Sequence, residues 1–265
     1  MVKPKKSLGQ NFLIDNNIIN KIISTNNIEK ENIIEIGPGT GSLTNIILKR
    51  KPKSLVLVEK DIEIYNLLKK DLFDKKNITL FNEDILKFDL EKKIKKNSII
   101  FGNLPYNISS QILVKLLKFK NWPPKYKKMV LMFQKEVAQK ILADFNTPDY
   151  GRFTVISNFR LKVTDTFNVS RHCFFPKPKI ESTVLVFEPI ERKNYKIKDL
   201  SNLEKITHIF FSNKRKMINK SFKKLFKNFN QVAKDIKVDL SLRPSQLDLD
   251  KYYKITEFYE LLKNN

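Results

Sequence analysis

Short runs of β-branched and aliphatic residues alternate with longer amphipathic segments along the first two thirds of the chain. A first set of runs predicts strands, most of them followed by a segment of helical spacing. These predicted strands are residues 32–37, 54–59, 77–84, 97–103 and 127–134. Two later predicted strands, 153–167 and 182–190, have no helix between them. Strands that alternate with helices favour a parallel sheet covered on both faces, and we expect the two late strands to pair antiparallel at one edge.

The pattern changes after residue 190, where strand signals end. The apolar positions Ile218, Phe222, Leu225 and Phe229 have the spacing of a helix, and the segment from 243 to 262 is helical in character as well. We therefore predict an α/β domain over 1–190 and a small all-helical domain over 191–265.

Composition and charge narrow the choice of partners. The 265-residue chain is 41% hydrophobic, which is enough for a substantial core, and it carries a formal net charge of +23. Such an excess of cations indicates a polyanionic partner, and nucleic acid fits best. A merely soluble basic surface is the plainer alternative.

Several kinds of site are excluded or disfavoured. The single cysteine, Cys173, rules out an intramolecular disulfide framework, and the two histidines, His172 and His208, make a metal centre or a catalytic triad unexpected. No run of about 18 apolar residues occurs, and the basic N-terminal segment lacks the apolar stretch of a signal peptide. We expect a cytoplasmic protein with no metal and no membrane association.

Candidate ligand-binding residues follow the carboxyl ends of four predicted strands. A glycine-rich turn, "EIGPGTG" at 35–41, comes after the first, and Glu59, Asp84 and Asn103 come at or after the next three. Open α/β sheets bind ligands at this edge. Glu59 is suited to a ribose diol and Asp84 to an adenine amino group, while the lysine of a triphosphate-binding loop is missing. The set resembles the S-adenosylmethionine site of class I methyltransferases, although each position alone is also compatible with an ordinary turn.

The corner "NLPY" gives the pocket its chemistry. The side-chain oxygen of Asn103 and the carbonyl of Leu104 can accept from the exocyclic amine of an adenine and direct its lone pair. Pro105 stiffens the corner, and Tyr106 offers a face on which the base can stack. Phe174, in the loop 173–182, is predicted to stack on the opposite face, with simple core packing as the alternative. Positioning and electrostatics would then supply most of the catalysis.

A basic segment in the helical region is the predicted contact with RNA phosphates. Residues 212–227 hold seven basic residues and no acidic one. The predicted contacts are Lys214, Arg215, Lys216, Lys220, Lys223, Lys224 and Lys227. A solvated helix face is the alternative interpretation.

These motifs together resemble the KsgA family, the small-subunit ribosomal RNA adenine dimethyltransferases. The resemblance extends over nearly the whole chain and includes "SLGQNFL", "EIGPGTGSLT", "GNLPYNISS", "FFPKPKIESTV" and "NKRKMINKSF". It implies a Rossmann-like class I methyltransferase domain with a small helical C-terminal domain. It also implies transfer of methyl groups from S-adenosylmethionine to N6 of two adjacent adenines near the 3′ end of small-subunit rRNA. The substrate is expected in a precursor ribosomal particle, and the enzyme is expected to be a monomer.

The same resemblance implies the cofactor contacts, and the segment 7–13 is expected to fold over the cofactor. The implied contacts are Asn11, Leu13, Gly37, Glu59, Asp84 and Asn103. Many bacterial relatives have His at the position of Asn11, a change that backbone contacts would survive.

Three alternatives stay open at this point. The Erm family of large-subunit rRNA methyltransferases shares "QNFL" and "PYNIS", but Leu104 and "RPSQLDL" favour the KsgA family. A DNA adenine methyltransferase usually has an acidic first residue in the corner. A non-catalytic RNA-binding assembly or transcription factor is disfavoured by the intact corner from Asn103 to Tyr106.

Overall fold

The structure is a computed structural model that describes residues 3–5 and 8–263. The chain divides into two compact units. The first comprises the described residues up to Ala138 together with Lys162–Pro189, and the second comprises Gln139–Leu161 together with the described residues from Ile190. One boundary coincides with the predicted division at 190. The second unit also contains residues 139–161, which the sequence assigned to the first domain.

The first unit is built on a mixed sheet. The strands are β1 Phe12–Leu13, β2 Asn32–Ile36, β3 Ser54–Glu59, β4 Ile78–Asn82, β5 Ser98–Asn103, β6 Tyr126–Gln134, β7 Leu161–Val169, β8 Phe174–Phe175 and β9 Ser182–Pro189. Among the described residues, seven of them form one sheet in the order β4-β3-β2-β5-β6-β9-β7. The pairs from β4 through to β6 are parallel, and β9 runs antiparallel to β6. The predicted parallel sheet is therefore confirmed, with the two late strands side by side at one edge.

Burial explains why the parallel strands could be predicted from the sequence. Ile99, Ile100 and Phe101 of β5 are all buried, so the strand has no solvent-facing side. A parallel strand with both faces covered is a continuous apolar run. The observed bounds of the five parallel strands and of β9 accordingly differ from the predicted ones by at most two residues.

A helix follows each of the five parallel strands, and the sequence predicted four of these helices, those after β2, β3, β5 and β6. The helices are α1 Asn16–Ser24, α2 Ser42–Lys49, α3 Ile62–Asp71, α4 Leu90–Lys93, α5 Ser109–Leu117, α6 Lys135–Leu142, α7 Arg152–Arg160, α8 Leu200–Phe211, α9 Asn219–Leu225, α10 Phe229–Asp235 and α11 Leu249–Lys263. Helix α5, for example, buries Ile112, Leu113, Leu116 and Leu117, the stripe of an amphipathic helix. Within the described part of the chain, no helix is long and apolar enough to cross a membrane.

Helices α7 to α11 belong to the second unit, which is held together largely by aromatic side chains. The ring of Phe210 lies 5.7 Å from those of Phe222 and Tyr252, and Phe159 lies 4.9 Å from Tyr253. Edge-on and tilted ring pairs of this kind stabilise a core beyond the area that they bury.

The strand predicted over 153–167 is wrong in its first half, because residues 152–160 form α7. Its N-terminus is capped by Thr154, whose Oγ accepts from the Gly151 N–H at 3.1 Å. The side chains of Ser157 and Asn158 donate to backbone carbonyls of the same helix. Four consecutive residues, 154–157, are buried, so the helix lacks the polar face that reveals helical spacing in a sequence.

The basic segment 212–227 also differs from the predicted continuous helix. Only residues 219–225 are helical, and residues 212–215 form a turn in which the Ser212 N–H donates to the His208 carbonyl. Lys214, Arg215 and Lys216 therefore lie between α8 and α9 rather than on a helix. Ile218 and Phe222 are buried as predicted, while Leu225 is half-buried and Phe226 takes the next buried position.

Candidate active site

A cleft in the first unit lies at the carboxyl ends of β2, β3, β4 and β5. Counted with its open mouth, the cleft contains about 1080 Å³ of space that no protein atom occupies. Every predicted cofactor residue lines it, namely Asn11, Leu13, Gly37, Glu59, Asp84 and Asn103. Leu104, Pro105 and Tyr106 line it too. The structure thus brings together residues that are distant in the sequence, because parallel strands end at one edge.

The glycine-rich turn forms one wall of the cleft. Gly37, Gly39 and Gly41 all have positive φ, at 66°, 55° and 84°, which side-chain-bearing residues rarely adopt. A Cβ on Gly39 would lie 3.1 Å from the ring of Phe12. Glycine at this position is required both by the backbone and by the close approach of the N-terminal segment.

Glu59 is buried at the end of β3, with 7% of its surface exposed. Its carboxylate accepts from the Asp61 N–H at 2.8 Å and from the Gly39 N–H at 3.3 Å. Burial raises the pKa of Glu59, although these two backbone bonds act against the rise. The predicted ribose acceptor therefore also joins the glycine-rich turn to the start of α3.

Asp61 is a site residue that the sequence analysis missed. It accepts from Lys5 Nζ at 2.8 Å and from Gln10 Nε2 at 3.0 Å, so it anchors the N-terminal segment to α3. Burial acts to raise its pKa, but the hydrogen bonds from Lys5 and Gln10 hold the pKa below its usual value. Its position as the N-cap of α3 was the available signal.

The N-terminal segment lines the cleft with residues 8–13, as expected for a segment that folds over a cofactor. Ser7, the first residue of the predicted stretch 7–13, lies outside the described residues.

Asp84 follows β4 and lies beside a cation. Lys60 Nζ donates to its Oδ2 at 2.9 Å, and the Leu86 N–H donates to its Oδ1 at the same distance. The hydrogen bond from Lys60 holds the pKa of Asp84 below its usual value. The carboxylate is therefore ionised at neutral pH and can accept from a further donor in the cleft.

Glu35 is a second residue that the sequence analysis did not single out. It is 1% exposed, lines the cleft, and accepts from the Thr44 hydroxyl at 2.6 Å through Oε2. Its other oxygen, Oε1, has no hydrogen-bond partner among the described residues. Burial raises the pKa of Glu35 from 4.5 to about 7, with the Thr44 hydrogen bond opposing the rise. A buried acceptor without a donor is unusual and marks a place where a ligand can donate.

The corner from Asn103 to Tyr106 is held in a defined orientation. Asn103 Nδ2 donates to the Asn11 carbonyl at 3.0 Å, which assigns the donor end of the amide to the protein. Tyr106 Oη lies 2.6 Å from Ser182 Oγ, and burial raises the pKa of this phenol. A Cβ on Gly102, just before Asn103, would lie 2.7 Å from Leu104 Cδ2, so a larger residue here would displace the Leu104 side chain.

Phe174 does not reach the cleft. Its side chain is only 3% exposed and belongs to the hydrophobic core together with Leu13 and Val184. The structure therefore favours the core-packing alternative over the stacking role. The reason is its pairing with Leu13 across the β1–β8 ribbon, which directs both side chains to the core.

The predicted RNA contacts lie in the second unit. Six of the seven side chains are exposed, and Lys214 is half-buried, with its Nζ hydrogen-bonded to the Pro148 carbonyl. Over residues 3–5 and 8–263, no group of three or more His, Cys, Asp or Glu is placed to hold a metal ion.

Comparison with known proteins identifies the family of the chain. The model of the family described as ribosomal RNA adenine dimethylase matches residues 1–261. The chain belongs to the ribosomal RNA adenine dimethylase family. The resemblance to the KsgA family is thereby confirmed, and the chain is an rRNA adenine dimethyltransferase.

Relatives and solved structures agree with membership of this family. A Pelagibacter ubique protein named ribosomal RNA small subunit methyltransferase A is 46% identical and covers 99% of both chains. The crystal structure of a dimethyladenosine transferase from Plasmodium falciparum is 27% identical, with a TM-score of 0.76 over 95% of this chain and 98% of its own. The 23S rRNA methyltransferase ErmE, 22% identical with a TM-score of 0.66 over 94% of this chain and 99% of its own, shares the fold. The predicted Rossmann-like class I methyltransferase fold is confirmed.

Proposed function

We propose that the protein methylates N6 of two adjacent adenines near the 3′ end of small-subunit rRNA, with S-adenosylmethionine as the methyl donor. The relatives named ribosomal RNA small subunit methyltransferase A support the choice of subunit. The observation that carries the chemistry is the orientation of Asn103. Its amide donor is engaged by the Asn11 carbonyl, so Oδ1 is the end that can accept from an amine.

The residues that line the cleft fit the cofactor at three points. Glu59 and Asp84 supply carboxylates at the ends of β3 and β4, suited to a ribose and to an adenine amino group. The unpartnered Oε1 of Glu35 is an acceptor without a donor, and the ammonium of the methionyl group is a donor that would satisfy it. When bound, S-adenosylmethionine supplies an electrophilic methyl group on a sulfonium.

The chain's own residues would then prepare the nucleophile. An adenine amine is a poor nucleophile because its lone pair is delocalised into the ring. Acceptance of its two hydrogens by Asn103 Oδ1 and the Leu104 carbonyl favours a pyramidal nitrogen whose lone pair points away from both acceptors. Tyr106, tethered to Ser182, presents a ring for the base. No strong base is required, since the methylated ammonium releases its proton readily.

The basic segment 212–227 is proposed to bind phosphates of the rRNA. Its exposed cations carry no base information, so they would hold the substrate rather than select the target adenine. The proposal includes a precursor ribosomal particle as the substrate, a monomeric enzyme and a cytoplasmic location, as expected from the sequence.

Methylation of purified particles tests the proposal. Unmodified small and large ribosomal subunits are incubated with the enzyme and labelled S-adenosylmethionine, and the RNA is examined by primer extension, which dimethyladenine blocks. We expect label in the small subunit and a paired stop near its 3′ end. Label confined to large-subunit RNA would favour an Erm-type activity, and binding without label would favour a non-catalytic assembly factor.

A further inference from the structure

The short ribbon formed by β1 and β8 has two different faces. Phe12 pairs with Phe175, and Leu13 pairs with Phe174. Leu13 and Phe174 are buried at 2% and 3% exposure, whereas Phe175 is 58% exposed. Because side chains alternate across a strand, Phe12 and Phe175 share the face opposite the core.

This outward face begins at the wall of the cleft. The ring of Phe12 lines the cleft and lies against Gly39 of the glycine-rich turn. Phe175, which pairs with Phe12, lies on the same face farther from the turn and is exposed to solvent. On the other side of the cleft, residues 176–181 join Phe175 to Ser182, whose hydroxyl is bonded to Tyr106. Phe175 therefore lies on the chain segment that connects two walls of the candidate active site.

The surroundings of Phe175 are cationic. Arg171, Lys177 and Lys179 are all exposed within six residues of it. The nearby carboxylates are engaged elsewhere: Asp15 caps α1 through the Ile18 N–H, and Glu181 pairs with Lys135 at 3.4 Å. An exposed aromatic ring among cations is the combination with which proteins hold unpaired nucleic acid.

The chemistry of the proposed reaction creates a need for such a ring. A target adenine that enters the cleft leaves its stack, and the neighbouring bases lose a stacking partner. An aromatic side chain at the rim can replace that partner without reading the sequence, because every base has a π-face.

We infer that Phe175 stacks on an unpaired base that flanks the target adenine, with Arg171, Lys177 and Lys179 contacting the phosphates around it. The inference rests on the proposed function, since it presupposes an RNA substrate whose adenine occupies the cleft. The sequence analysis gave Phe174 a stacking contact with the target adenine, but Phe174 is buried in the core. The contact inferred here is made by its exposed neighbour Phe175, with a flanking base.

Substitutions at Phe175 test the inference directly. Phe175→Ala removes the ring, Phe175→Leu keeps an apolar side chain without a ring, and Phe175→Trp keeps an aromatic face. Phe73→Ala is the matched control, because Phe73 is 86% exposed in the same unit and does not line the cleft. Thermal unfolding and S-adenosylmethionine titration establish that each variant is folded and binds the cofactor.

The readout is affinity for unmodified small-subunit particles, together with fluorescence of 2-aminopurine placed next to the target adenine in a small-subunit rRNA fragment. Stacking on an aromatic side chain is lost on alanine substitution, so we expect about 5- to 150-fold weaker binding for the Ala and Leu variants. We expect near-normal binding for the Trp and Phe73→Ala variants. The dependence of affinity on salt should not change, because no charge is removed. Quenching of the 2-aminopurine should weaken in the Ala variant.

The outcomes separate the inference from the function on which it rests. One outcome is that the unaltered enzyme methylates small-subunit RNA, and that Phe175→Ala binds the particles and quenches 2-aminopurine as strongly as the unaltered enzyme. That outcome overturns the stacking role. If Phe175→Leu binds as well as the unaltered enzyme, the contact is apolar rather than stacking, and the inference is likewise overturned. If the unaltered enzyme methylates only another RNA, the proposed function fails, and the same variants test stacking on that RNA.

Discussion

Replacing Glu59 by alanine removes a carboxylate that has two sets of partners, and the two losses can be measured separately. In the absence of ligand, the carboxylate accepts from the Asp61 and Gly39 N–H groups. With S-adenosylmethionine bound, we expect it also to accept from the ribose hydroxyls. A hydrogen bond to a charged group contributes about 1.5–3 kcal/mol, so the loss of even one ribose contact weakens binding about 10- to 150-fold.

The free energy of unfolding should fall as well. The hydrogen bond from the Asp61 N–H is buried, and a buried N–H without an acceptor costs about 1–3 kcal/mol. The Glu59→Gln variant separates the two effects. Its amide oxygen can still accept from the Asp61 N–H, so it should lose cofactor affinity while retaining most of the stability that the alanine variant loses.

Isothermal calorimetry with S-adenosylmethionine and urea unfolding provide the two measurements. Glu63→Ala is a suitable control, since that carboxylate lies in the first turn of α3, four residues after Glu59, is 61% exposed and does not line the cleft. Unchanged affinity in Glu59→Ala would remove Glu59 from the cofactor site. Reduced stability with unchanged affinity would show that Glu59 only holds the glycine-rich turn.

Three further predictions follow from the site. Asn103→Ala should lower the rate of methyl transfer by about 10²- to 10³-fold, the scale seen when one preorganised polar group is lost, while the protein still folds and binds RNA. Glu35 has a pKa of about 7 in the folded protein, against an ordinary value of 4.5 that applies to the unfolded chain. Below pH 4.5 its carboxyl group is protonated in both the folded and the unfolded state. Between pH 4.5 and about pH 7 it is protonated only in the folded state. The free energy of unfolding should therefore fall by about 3 kcal/mol as pH rises through this window, and Glu35→Gln should flatten that dependence. Joint replacement of Lys214, Arg215 and Lys216 by alanine should weaken RNA binding and reduce the slope of log affinity against log salt by about 2–3, without altering cofactor affinity.

Each of these predictions has a contrary outcome. Methyl transfer by Asn103→Ala at nearly the normal rate would refute its role as acceptor. An unchanged pH profile in Glu35→Gln would assign the pH dependence to other groups. A matched triple replacement of the exposed Lys93, Lys95 and Lys96 in the first unit removes the same charge; an equal loss of RNA affinity would show that general charge, not the basic segment, is responsible.

The parallel strands were predictable because the physics that forms them is local. Four of them, β2, β3, β5 and β6, are short apolar runs whose residues are mostly buried, and this burial requires apolar residues at successive positions. The edge strand β4 has no fully buried residue but keeps apolar residues at Ile78, Leu80 and Phe81. Helix α7 was not predictable in this way, since its residues are buried on most sides and include several β-branched ones. Its helical state depends on polar side chains such as Thr154 and Asn158 that bond to nearby backbone groups.

The ribbon of β1 and β8 shows a different limit. Each strand has two residues, and the partners are about 160 positions apart in the chain. Nothing local specifies that register, yet it determines which of two adjacent phenylalanines faces the core. The motif predicted an aromatic contact with the RNA, and one cross-strand pairing determines that Phe175 rather than Phe174 is the exposed ring.

The candidate site contains residues that local sequence patterns predict and residues whose positions depend on long-range contacts. Gly37, Glu59, Asp84 and Asn103 line the cleft because parallel strands end at one edge, and that rule predicted them from the sequence. Glu35, which also lines the cleft, and Asp61, which anchors the N-terminal segment, were missed because burial and long-range hydrogen bonds leave no comparable mark in the sequence.

These supporting contacts link the two halves of the proposed reaction. Glu59 accepts from the Asp61 N–H, the Asp61 carboxylate holds Gln10, and the next residue, Asn11, accepts from the Asn103 amide through its carbonyl. The predicted ribose end of the cleft is thus connected to the corner from Asn103 to Tyr106 by a continuous path of hydrogen bonds and one peptide bond. The N-terminal segment that lines the cleft is also the element that orients the Asn103 amide, so in the proposed reaction we expect an ordered N-terminal segment to be required for methyl transfer as well as for cofactor binding.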